Sequence, residues 1–161
     1  MPYLEETAIN RDLVLEFFLQ FSRFEFALKF AGFSRGNVNY VEPDWIRFAA
    51  TLRDTFNKNQ NLPLAQACKY ILDNPPKQQA LAAGSLAWNT QPPANANTEP
   101  ELLVAYVKRV RNNLFHGGKY NNQMHDETAK DEELLRGSLL ILDECLRVSQ
   151  RVKGAYDKAL I

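Results

Sequence analysis

Apolar residues return every three or four positions through most of this chain, and that period commits it to helices. From Arg11 to about Phe33, one row runs Leu13, Phe17, Phe21, Phe24, Leu28 and Ala31, while Phe26, Phe30 and Phe33 form a second. A helix apolar over so much of its circumference is central or sits at an interface. Gly32, Gly36 and the Asn-Tyr stretch behind them end it. Pro43-Asp44 opens a second helix, with Trp45, Phe48, Ala49, Leu52 and Phe56 on one side. After a polar loop over 57–61, Leu64, Ala67, Cys68 and Ile71 make a shorter helix that stops at Asn74-Pro75-Pro76.

Leu81 to Trp88 reads as another short helix, weakened by Gly84, and 89–97 as a long exposed connection. Thr98 then caps a helix whose buried row is Leu103, Val107, Val110 and Leu114. A polar turn over 121–126 leads to a last helix from about Ala129 to Lys158, with Leu135, Leu139, Leu142 and Leu146 beside Ile141, Cys145, Val148 and Val152. No segment has a comparable claim to be a strand. The expected architecture is an all-α, up-and-down bundle of four long helices plus one or two short ones.

At 161 residues the chain is expected to be one domain, 1–161, large enough to bury a substantial core. No apolar run reaches membrane-spanning length, and the start, Pro2-Tyr3-Leu4-Glu5-Glu6, is acidic rather than leader-like, so a cytoplasmic protein without membrane contact is expected. Cys68 and Cys145 fall in apolar rows without metal-ligand spacing and read as buried free thiols, so neither metal nor cofactor is expected. Nineteen basic and nineteen acidic residues exclude a global basic field, and any grip on nucleic acid must be local. The basic cluster is Lys108, Arg109, Arg111 and Lys119, followed by acidic Asp131, Glu132 and Glu133.

That cluster surrounds Arg111-Asn112-Asn113-Leu114-Phe115-His116-Gly117-Gly118, the stretch richest in chemistry. Arginine offers phosphate a planar fork of donors, and histidine can take and return a proton near neutrality. Asn112 and His116 are four apart and share a helical face, so the amide can orient the imidazole. Arg111 and His116 are five apart, which turns them roughly 140° from each other. Either the long arginine reaches around, or a second copy of the motif supplies the missing half. The glycine pair reads as a helix stop, an assignment that also accounts for a terminal Arg and His through capping alone. Glu25 lies on the row Val14, Phe18, Phe21, where a carboxylate needs a partner. Arg111 is one candidate; Lys29 or water is the other.

A helical bundle whose penultimate long helix ends in Arg-Asn-x-x-x-His resembles the HEPN superfamily, whose hallmark is Arg, four to six residues, then His. The segments from Phe21 to Lys29 and from Arg111 to Lys119 are similar to an uncharacterised bacterial branch of it. The resemblance implies a metal-independent endoribonuclease that acts as a homodimer, in a toxin–antitoxin, phage-defence or stress role. It also implies attack of a ribose 2′-hydroxyl on phosphorus, leaving a 2′,3′-cyclic phosphate. His116 would be the general acid or base, Arg111 the phosphate stabiliser and Asn112 the orienting residue; Lys119 and Arg109 are candidate RNA contacts, and Glu25 supports from behind. Gly118 stands where some members with a cognate antitoxin carry a modified tyrosine, and Tyr120 is the nearest one. His125 reads as a surface residue. Two alternatives stay open: a non-catalytic module that binds nucleotide or RNA or docks a partner, and a purely structural dimerising bundle.

Overall fold

The computed structural model describes residues 9–115 and 128–159. Its helices are α1 (Arg11–Phe30), α2 (Trp45–Ala50), α3 (Leu62–Asp73), α4 (Glu99–Phe115), α5 (Thr128–Val148) and α6 (Gln150–Lys158). Helix α5 is central and packs against α1, α3, α4 and α6, while α2 lies on α4. The apolar rows meet as periodicity requires, with Phe17, Phe24, Leu28, Leu103, Val107, Ile141, Leu142 and Val152 almost fully buried. Phe24 and Trp45 stack with centroids 5.2 Å apart and planes 7° from parallel, which seats α2 on α1. At Gly137 an added Cβ would lie 3.2 Å from the Ile71 side chain, so the missing side chain lets α3 approach α5 closely.

The all-α expectation is wrong. Two antiparallel hairpins interrupt the bundle, β1 (Ser34–Asn37) with β2 (Tyr40–Pro43) and β3 (Gln78–Ala82) with β4 (Ser85–Asn89). The second replaces the short helix expected at 81–88. Its turn explains why: Ala83 and Gly84 both take positive φ, 49° and 78°, the requirement of a tight two-residue hairpin turn. Leu81 then faces Leu86 and Gln79 faces Trp88 across the ladder. Gln, Ala and Leu are good helix formers, but a turn in this conformation cannot be continued as helix.

The helices differ in two further ways. The second ends at Ala50 rather than near Phe56, and the last is broken at Ser149, whose backbone leaves the helical region at φ −114° and ψ 85°. Arg23 on α1 ties down the final piece, donating to the Tyr156 carbonyl at 2.8 Å and lying over that ring.

Helix α4, which carries the motif, is anchored at its start by the Glu101 carboxylate. Glu101 accepts hydrogen bonds from the Thr98 amide and hydroxyl at 2.9 and 3.0 Å, from the Asn97 amide at 2.9 Å, and from Arg53 at 2.8 Å. Arg53 chiefly, helped by the Asn97 and Thr98 donors, holds the Glu101 carboxyl below its ordinary pKa against the opposing effect of burial. A depressed folded-state pKa gives stability that is fully present above the unfolded value and is lost as pH falls through the folded one. Melting temperature is therefore expected to drop below about pH 4. In Glu101→Gln, thermal melts should show a lower plateau near neutrality and a flatter acid limb.

Candidate functional site

The C-terminal half of α4 brings three of the singled-out residues to one end of the bundle and sends them to different tasks. Arg111 is half-buried. Its guanidinium carbon lies 5.8 Å from the centroid of the Phe21 ring and 5.1 Å from that of Phe115, so two aromatic faces hold it. Its Nη1 donates to the Asn112 Oδ1 at 3.2 Å. Among the described residues it makes no ion pair with a carboxylate. Asn112 is exposed beside it.

His116 and Lys119 lie outside the described residues, as do the Gly117-Gly118 stop, Tyr120 and His125. The α4 helix continues to Phe115, directly before His116, and the Phe115 ring packs on Phe18 of α1 at 5.4 Å.

Glu25 does not pair with Arg111. Its Oε1 accepts from the Trp45 indole at 3.1 Å, so the carboxylate on the apolar row is satisfied by an aromatic donor of α2. The α4 cation that feels Glu25 is Lys108, also under the influence of Arg35, Glu42 and Asp44. Burial, reinforced by Arg35, lowers the Lys108 pKa from its ordinary value.

Arg109 is buried, not an exposed RNA contact. Its Nη1 donates to the carbonyls of Pro76 at 3.2 Å and Gln91 at 3.1 Å, and its Nη2 to the Gln78 Oε1 at 3.1 Å. It therefore fixes both ends of the second hairpin to α4. Arg109→Ala would leave those acceptors short of donors and is expected to cost about 2 kcal/mol in a urea melt.

Residues the sequence reading passed over complete the surroundings. Asn113 donates to the Lys77 carbonyl at 2.6 Å, a second tie between α4 and the hairpin. Between them lies an open groove of about 340 Å³ lined by Gln78, Gln79, Lys108, Arg109, Asn112 and Asn113. A separate cavity of about 30 Å³ against Val110, Leu134 and Trp88 has room for water only. Lys108 had a signal in the basic cluster; the glutamines had none, lying between the helix stop at Asn74-Pro75-Pro76 and the segment from Leu81.

On the other side, α1 exposes Leu15, Phe18, Leu19, Phe26 and Phe30. At 100° per residue these fall within about 120° of one another, opposite the row buried in the core. Helix α1 is thus apolar on two faces, and its outer stripe runs up to Phe115.

The two cysteines are unreactive. Cys68 and Cys145 are buried and free, and burial raises both thiols, Cys68 to about 11, far from the reactive thiolate range. Among the described residues no group of His, Cys, Asp and Glu could hold a metal, and no helix is long and apolar enough to cross a membrane.

No family model, curated protein or solved structure matches this chain. The functional reading therefore rests on the motif and its surroundings.

Proposed function

We propose that this protein is a metal-independent endoribonuclease of the HEPN type, cytoplasmic and active as a homodimer. The observation that carries the reading is Arg111 itself. It is a cation held between two aromatic faces at the end of α4, hydrogen-bonded to the motif's own asparagine and engaged by no carboxylate among the described residues. An arginine kept for capping or for an ion pair has no use for this arrangement. One that must meet a phosphate does, because the two rings hold the cation in place and leave N–H donors for phosphoryl oxygens.

In the proposed reaction a base, His116, removes the proton from a ribose 2′-hydroxyl. The oxygen bonds to the adjacent phosphorus, the bond from phosphorus to the 5′-oxygen breaks, and that oxygen takes a proton. The products are a 2′,3′-cyclic phosphate and a 5′-hydroxyl. Arg111 neutralises charge gathering on the phosphoryl oxygens, and Asn112, bonded to Arg111, keeps the fork aimed. A deoxyribose strand lacks the nucleophile and is not cut.

The exposed stripe of α1 supports the dimer, since it is contiguous with Phe115 and so with the motif. Pairing two stripes about a two-fold axis brings two copies of Arg111 and His116 toward one cleft, which answers the 140° divergence within one chain. Light scattering at micromolar concentration is expected to give the mass of a dimer, and Phe26→Glu, which places a charge on the stripe, a monomer. A wild-type monomer would remove the composite site.

Incubation with structured RNA in excess chelator tests the activity. Cleavage that persists is expected. RNA binding without cleavage, unchanged in His116→Ala, would favour the docking-module reading instead.

A further inference from the structure

The groove between β3 and α4 carries, Asn112 apart, polar groups that neither a capping role nor the cleavage step uses. Four of its lining residues bear side-chain amides, Gln78 and Gln79 from β3 and Asn112 and Asn113 from α4, and Lys108 lines it as well. Its volume, about 340 Å³, lies in the range of small-ligand sites.

The hydrogen bonds within the walls show which atoms are already used. Gln78 Oε1 accepts from Arg109 and Asn113 Nδ2 donates to Lys77, so the Gln78 amide keeps its donor end and the Asn113 amide its acceptor end. The Gln79 amide has both. Lys108 makes no hydrogen bond or ion pair among the described residues, although Glu25, Glu42 and Asp44 act on its charge together with Arg35, while Arg109 is consumed by the scaffold. The groove thus offers one cation and a set of donors and acceptors side by side. Asn112 lines it and also bonds to Arg111, so the groove opens directly beside the residue assigned to the scissile phosphate.

We infer that this groove is the subsite for a nucleotide flanking the cleaved bond, its base held by the amides of Gln78, Gln79 and Asn113 and its phosphate by Lys108. Side-chain amides pair in bidentate fashion with a base edge that presents a donor next to an acceptor. Every unpaired base presents such an edge, so an unpaired nucleotide of any base is the expected occupant, read in a single strand where its edge is accessible. This assignment rests on the ribonuclease reading for its position beside the cut, but its binding chemistry stands on the groove alone.

The test separates the two. Short RNAs with 2′-O-methyl groups, which cannot be cut by this route, are titrated against wild-type protein and against Gln79→Ala, Lys108→Gln and the double variant, with binding followed by fluorescence anisotropy. Wild type is expected to favour base-bearing oligonucleotides over abasic strands of the same length and charge. Gln79→Ala should flatten that preference, and Lys108→Gln should weaken all sequences alike and reduce the salt slope by about 1. The double variant should bind about 10-fold more weakly or worse. Because both side chains lie on the groove wall, their thermal melts should match wild type.

Unchanged affinity and base preference in the folded double variant would overturn the subsite even if wild type cuts RNA normally. Conversely, loss of binding in the variants of a protein that cuts no RNA would uphold the groove as a nucleotide site and discard the nuclease reading.

Discussion

Replacing His116 with alanine is expected to lower RNA cleavage by about 10²-fold or more, because a positioned general acid or base typically contributes that much. The imidazole is the one side chain of the motif able to exchange a proton near neutrality, and neither Arg111 nor Asn112 can substitute for it. The loss should fall mainly on the rate at saturating RNA, since Arg111 and the groove keep their hold on the strand. Single-turnover cleavage of a labelled RNA by wild type and variant at matched melting temperature measures it. Activity that survives the substitution removes His116 from the mechanism.

Arg111→Ala is expected to cost about 10²–10³-fold in rate, the scale for losing a donor aimed at transition-state charge. The stability cost should be small. Glu25 is satisfied by the Trp45 indole and does not depend on Arg111, so no buried carboxylate is orphaned. What is lost is contact with Phe21 and Phe115, about 0.5–1 kcal/mol at a partly exposed site. Arg111→Lys sharpens the point. It retains the charge but not the planar fork, and should fall between wild type and alanine in cleavage with an unchanged melt. A lysine variant as active as wild type would reduce Arg111 to a point charge.

The helical rows were legible because burial follows the helical period almost residue by residue. Leu13, Phe17, Phe21, Phe24 and Leu28 on α1, and Leu135, Leu139, Leu142 and Leu146 on α5, are all buried as the spacing required. The hairpins were not, for reasons lying in the turns. Gln78-Gln79-Ala80-Leu81-Ala82 favours helix locally, and only Ala83-Gly84 in the left-handed region reverses the chain. A faint signal was present: the residues are nearly mirrored about that pair, with Ala80 opposite Ala87 and Leu81 opposite Leu86. Arg109 and Arg111 stand two apart in one basic cluster, yet one is buried on carbonyls and the other lies over two aromatic rings. Composition cannot separate them, because the difference comes from the hairpin that packs on α4. The Glu25 partner was missed for a similar reason, since an indole donor carries no charge to suggest it.

The ends left at the cut identify the nucleophile. A 2′-hydroxyl attack leaves the upstream fragment with a 2′,3′-cyclic phosphate and the downstream one with a 5′-hydroxyl, whereas attack by an activated water leaves a linear phosphate on one fragment. The deciding measurement is mass spectrometry of both product ends after digestion of a defined RNA in excess chelator. A cyclic phosphate paired with a 5′-hydroxyl is the predicted result; a 3′-hydroxyl paired with a 5′-phosphate, or intact RNA, would contradict it.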